Sequence, residues 1–233
     1  MFEAFVVIIG FLVHILYFLL QSLLIRAIVK TKRIVTPTIQ FYNRGVYMNY
    51  AIGISLFSNE GDFDPEASHF FGDPLIPEGW VDDFDEDTIF FCQIRLADIE
   101  SYDNDHILPH DGYLYVFLDT ANGKYAYRPI VRYYNGQPNV VLDEFNEAVE
   151  GYEQFSKPLS CTFSTIEPDA YAMKLLGIPS DWNYADEPPQ LLMEIDHLDD
   201  TLCFHDEIDG VSYLFFGKDH TTFRDVTMHC EHS

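Results

Sequence analysis

Two stretches of this chain, about a hundred residues apart, carry the same signals in the same order. The first runs Phe71-Gly72-Asp73-Pro74, then the apolar run Ile89–Ile94, then Asp111-Gly112 leading into Tyr113–Phe117. The second runs Leu176-Gly177-Ile178-Pro179, then Leu191–Asp196, then Asp209-Gly210 leading into Val211–Phe216. Each copy reads as a Gly-x-Pro turn, an apolar strand with a polar residue near its end, and a second strand launched from Asp-Gly. A repeated strand-turn-strand unit constrains the fold more than any single motif. The expectation is a mainly β domain (β-rich α+β), internally duplicated, with related halves at about residues 34–142 and 143–233.

The residue inventory agrees. Of 233 residues, 16% are aromatic, including 20 Phe and 15 Tyr, a bias that suits half-buried pleated surfaces more than helix bundles. Charge is the other extreme. With 13 basic and 38 acidic residues the formal net charge is −25, which would repel nucleic-acid backbones and favour a basic protein partner or divalent cations. Nucleic acid is therefore excluded as an expected partner. The four cysteines, Cys92, Cys161, Cys203 and Cys230, form no CxxC pair and no small-domain disulfide spacing.

Residues 4–25 are an uninterrupted apolar run without Asp, Glu, Lys or Arg. As a helix it would measure about 33 Å, enough for a hydrocarbon core of about 30 Å. Arg26, Lys30, Lys32 and Arg33 follow the run and only Glu3 precedes it. A cleavable signal peptide has the opposite arrangement, so residues 1–33 are expected to be one transmembrane anchor with a basic flank. Positive flanks stay inside, which orients the C-terminal domain, residues 34–233, to the cytoplasm. Outside the anchor the charge is 9 basic against 37 acidic residues, a net −28.

Along the body, residues 34–57 read as two short strands around Asn43-Arg44-Gly45, and Tyr125–Tyr134 as a strand in which Pro129 places part at an edge or bulge. Residues 143–154 read as a loop or short helix, Ser160–Ile166 as a strand, Asp169–Leu176 as a short helix stopped by Gly177 and Pro179, and Phe223–Met228 as a closing strand.

Several blocks carry a family resemblance. Ser68-His69-Phe70-Phe71-Gly72-Asp73-Pro74-Leu75-Ile76-Pro77 resembles the Ser-Lys-x-Gly-Gly-x-Pro-x-x-Pro signature of the YwqG-like family, a domain of unknown function. Phe90–Leu96 and Leu108–Phe117 are similar to two of its strands; Lys174–Pro179, Leu191–Asp196 and Asp209–Phe216 are similar to three later blocks. His69 and Phe71 depart from the signature, and Glu194 stands where a Gln is usual. The match spans roughly residues 35–230 and leaves the anchor outside it. The resemblance implies a β-rich duplicated fold with no established activity, and suggests an immunity-type role.

Motifs for chemistry are weak. Asp82, Asp83, Asp85, Glu86 and Asp87 offer hard oxygens but no EF-hand pattern. His106, His110 and Asp111 offer an acid–base cluster but are explained more simply as turn residues at a strand entry, and His205–Asp209 and His229–His232 contain metal-ligand types without zinc spacing. No nucleophile elbow or phosphate-binding Gly loop is present. No cofactor and no metal are expected, and no catalytic residue is assigned. Gln93 and Glu194 occupy equivalent places in the two copies. Should the halves pack about a pseudo-twofold axis, these two could face a shared ligand cleft rimmed by Gly72, Pro74, Gly177 and Pro179. The leading reading is a membrane-anchored, non-catalytic interaction module for a basic protein. The alternative is an enzyme or small-ligand binder using that cleft.

Overall fold

The strand Tyr113–Asp119 is buried at every position, so it needs cover on both faces. Leu114, Val116 and Leu118 enter one large apolar cluster, while Tyr113, Tyr115 and Phe117 enter a second. Period-2 alternation with two apolar faces is what the aromatic-rich sequence encodes, and it makes a sheet with an inner core and an outer layer. Burying a Phe or Leu in either layer contributes about 1.5–3 kcal/mol.

The computed structural model describes residues 50–58, 63–121, 127–182, 189–196, 210–217 and 223–232, all within the unit Tyr42–Ser233. The protein is mainly β. In chain order the strands are β1 (Ala51–Ser58), β2 (His69–Phe70), β3 (Leu75–Ile76), β4 (Thr88–Arg95), β5 (Tyr113–Asp119), β6 (Arg128–Tyr134), β7 (Val140–Val141), β8 (Leu159–Ile166), β9 (Lys174–Leu175), β10 (Leu191–Asp196), β11 (Gly210–Phe215) and β12 (Thr227–His232). Ten of them form one sheet in the order β12-β11-β10-β9-β1-β8-β2-β4-β5-β6, and β3 pairs with β7 in a small second sheet. Every pairing is antiparallel. The two ends of the large sheet, β6 and β12, approach each other, so the sheet curls nearly closed.

Read inward from either end, the sheet presents the same sequence of roles. β6-β5-β4-β2 leads to β8, and β12-β11-β10-β9 leads to β1. The central pair β1–β8 runs from Ala51 opposite Ile166 to Ser58 opposite Leu159. β1 therefore borders β9, and β8 borders β2. Register shifts interrupt β4 against β5 between Phe90 and Cys92, and β10 against β11 between Leu191 and Met193. Such bulges insert one unpaired residue. They turn Phe91 and Cys92, and likewise Leu192 and Met193, into the inner core, while Phe90 and Leu191 stay in the outer layers.

Several expectations are corrected. Asp169–Leu176 is not a helix; its end is the two-residue strand β9, which fills the gap between β1 and β10. Ladder pairing on both sides overrides the local helical pattern. Residues 143–151 are turns and lead into a 3-10 helix at Glu153–Ser156, in keeping with the loop or short helix expected over 143–154. The closing strand starts later than expected, because Phe223 adopts φ +55° and is buried in the inner core. Within 34–57 the described part is one continuous strand from Ala51; the turn at Asn43-Arg44-Gly45 and the apolar run 4–25 lie outside the described residues. No helix among the described residues is long and apolar enough to cross a membrane.

Candidate functional site

The residues expected to rim a cleft instead build two similar turn-and-strand junctions. Phe71 and Gly72 have φ +57° and +71°; Leu176 and Gly177 have φ +62° and +85°. Two successive left-handed residues reverse the chain after β2 and β9, a conformation glycine adopts readily. In each junction the residue before the glycine donates to the bulged strand: Phe71 N to Phe91 O and Leu176 N to Leu192 O, both at 3.0 Å. Pro74 and Pro179 are buried just beyond.

Gln93 and Glu194 then hold the returning chain. Gln93 Oε1 accepts from Leu75 N at 3.1 Å, and its amide donates to Pro65 O and Ala67 O at 2.7 and 3.1 Å. Glu194 Oε2 accepts from Ser180 N at 3.1 Å, and its Oε1 accepts from the Ser180 hydroxyl. The register partner of Glu194 is Lys174, whose ammonium lies 3.1 Å from Oε2. That ammonium also donates to Pro168 O and Ala170 O at 3.2 and 2.6 Å. All three ammonium donors are thus used. Both side chains are fully buried. Burial pushes the Lys174 pKa down against the pull of Glu194, and pushes Glu194 up against its bonds from Ser180 and Lys174.

In the other junction the register partner of Gln93 is His69. It is fully buried, with edge contacts to Phe63 and Phe90 at 4.7 and 5.5 Å. Nδ1 lies 2.9 Å from Ala67 O, while Nε2 has no hydrogen-bond partner among the described residues. Burial lowers its pKa to about 4, so the ring is neutral at pH 7.

Gln93 and Glu194 do not meet. Four strands separate β4 from β10 in the sheet, about 24 Å measured along it. Their cross-strand partners Tyr115 and Tyr213 belong to different outer clusters. Each polar side chain is satisfied within its own junction. Ser180, Glu194 and Lys174 resemble a catalytic chain in composition only, since the burial of Glu194 and Lys174 closes them to a substrate.

The surface offers a different site, around Trp80. Residues 82–87 are held from beneath: Phe84 packs on Phe117 with ring centroids 4.3 Å apart and meets Phe145 edge-on at 5.7 Å. Thr88 donates through its amide and hydroxyl to Asp85, at 3.1 and 2.7 Å. Thr120 donates both its amide and its hydroxyl to Asp87 O at 2.8 Å. Asp82, Asp83, Asp85, Glu86 and Asp87 are thereby presented outward from a fixed backbone.

Phe145 brings a second acidic segment alongside. Buried Asn146 substitutes for a strand neighbour: its Oδ1 accepts from Phe90 N at 2.7 Å, and Nδ2 donates to Phe90 O and Phe155 O at 2.9 and 3.0 Å. Asp143, Glu144 and Glu147 around it are exposed. Phe145 N donates to Asp73 Oδ1 at 3.2 Å. Burial raises the Asp73 pKa, and the charges of Asp143 and Glu144 raise it further.

Beside this acidic surface, Arg132 on β6 pairs with Asp83 at 2.6 Å. Its guanidinium lies 5.0 and 4.9 Å from the ring centroids of Trp80 and Phe84, within cation–π range. Two open depressions flank Trp80. One of about 580 Å³ includes Arg132, Tyr133 and Arg224 in its lining; the other, about 600 Å³, includes Glu78, Tyr134 and Asn139. Sequence reasoning took 82–87 for a solvated connector and missed Trp80, Phe84, Arg132 and Phe145. The available signal was an aromatic residue four positions after Trp80 in the middle of an acidic run. Among the described residues no group of three His, Cys, Asp or Glu side chains is placed to hold a metal ion.

Compared with known proteins, the chain matches no family model and no curated protein.

Proposed function

We propose that this is a membrane-anchored, non-catalytic interaction protein whose acidic, YwqG-like cytoplasmic domain recognises a basic protein partner. The observation that carries the reading is the joining of acidic segments 82–87 and 143–147 on one surface through the Phe84–Phe145 contact. Charge held on an ordered backbone costs little entropy to engage, and it speeds encounter with a basic surface. The anchor rests on the apolar run 4–25 and its basic flank.

An internally duplicated domain is part of the same reading. The reciprocal strand order, the paired bulges and the two left-handed junctions support it. The blocks that resemble the YwqG-like family fall on β2, β4, β5, β9, β10 and β11, one strand role after another. A ligand cleft between Gln93 and Glu194 draws no support from the burial of either side chain.

The test is a pull-down from native membranes at low and at high salt, repeated with Asp82→Lys/Glu86→Lys/Glu147→Lys. A basic protein retained at low salt, released by high salt and lost from the charge-reversed chain is the expected result. A partner held equally at both salts and by both chains would sink the proposal.

A further inference from the structure

The turn between Glu100 and Asp111 is built around a buried carboxylate. Asp103 is fully buried, and it accepts from Ile107 N at 3.1 Å and Leu108 N at 2.7 Å. No Lys or Arg side chain is paired with it among the described residues. Its remaining neighbour is His110, whose Nε2 lies 3.3 Å from Oδ2. A carboxylate there places the imidazole proton on Nε2 and leaves Nδ1 as a lone pair facing outward. That Nδ1 lies 3.4 Å from Nδ1 of His106. The two rings are tilted at 49° rather than stacked. His106 is exposed and held at φ +52°; its own amide donates to Asp103 O at 3.1 Å, and Asp105 N donates to Tyr50 Oη at 2.7 Å. The backbone is thus fixed in the conformation that turns one imidazole nitrogen toward the other.

We propose that His106 and His110 are a binding site for a borderline divalent transition-metal cation such as Zn²⁺, Ni²⁺ or Cu²⁺. Two nitrogens 3.4 Å apart, each about 2.05 Å from a shared ion, subtend an angle of about 110° at it, close to tetrahedral. Imidazole donors suit these three ions and not Ca²⁺ or Mg²⁺. Asp103 acts as the outer carboxylate that fixes the tautomer and orientation of a ligating histidine. Glu100 Oε1, 3.9 Å from His110 Nδ1 on an exposed side chain, is near enough to add an oxygen. Water completes the coordination, since among the described residues no third side chain is already in place. Acidic Glu100, Asp103, Asp105 and Asp111 around the pair favour a cation.

The test uses the full chain, titrated calorimetrically with Zn²⁺ and Ni²⁺, and Cu²⁺ electron paramagnetic resonance for the number of bound nitrogens. The intact chain should take up one equivalent that His106→Ala and His110→Asn each weaken about tenfold or more, and the Cu²⁺ spectrum should lose one nitrogen coupling in His106→Ala. His106 is exposed, so that variant keeps its fold, checked by an unchanged circular dichroism spectrum. An intact chain that binds no ion at millimolar concentration, or a His106→Ala chain that binds like the intact one, overturns the proposal.

Discussion

At the scale of residues, the two junctions solve one problem with different chemistry. His69 and Gln93 hold the first with neutral groups; Lys174 and Glu194 hold the second with a buried ion pair. Removing one member of a buried pair leaves a charge uncompensated, at about 3–5 kcal/mol. Glu194→Gln should therefore destabilise by about that much, while Lys174→Met/Glu194→Gln should recover most of the loss, because Gln93 shows a neutral amide satisfied in the equivalent place. Urea unfolding of both chains decides it, and equal stability of the single and double variants would refute the coupling. His69 gives a pH signature. Its folded pKa, about 4, lies below the ordinary 6.5. The stability it confers is full above pH 6.5 and is lost as pH falls toward 4, up to about 3 kcal/mol. His69→Gln should flatten the stability profile between pH 6.5 and 4 relative to the natural chain, as read by denaturant midpoints at each pH; an unchanged profile would count against a buried neutral imidazole.

At the scale of elements, the left-handed junctions are where backbone freedom is needed. A Cβ on Gly177 would come within 2.6 Å of Pro168 O and 2.7 Å of the Ala51 Cβ, at φ +85°. Gly151 has a similar φ, +88°, with nothing within 4 Å. Gly177→Ala should cost about 2–4 kcal/mol, strain plus clash, and Gly151→Ala only about 1 kcal/mol from strain. Thermal unfolding of the pair separates the two contributions; equal shifts would show that packing around Gly177 yields. These elements also show what was legible. The Gly-x-Pro turns, β4, β5, β10 and β11 were readable because apolar alternation and turn residues act locally. β9 was not, because two residues become a strand only when neighbours on both sides supply the ladder. The bulges were equally hidden, and with them the inward turn of Cys92 and Met193.

At the scale of the whole molecule, composition announced a sheet and an acidic surface but not their arrangement. Two acidic segments separated by more than fifty residues of chain become one surface only because Phe84 and Phe145 meet over Phe117, a contact no spacing rule encodes. The exchange at the sheet's centre reaches further still. β1 finds its partners in β8 and β9, and Ala51 faces Ile166. A ribosome adding roughly 5–20 residues per second makes the first strand long before either neighbour exists. For several seconds β1 has unpaired edges on both sides, so the centre of the sheet closes only after residues made about a hundred positions later have emerged, rather than by early local folding.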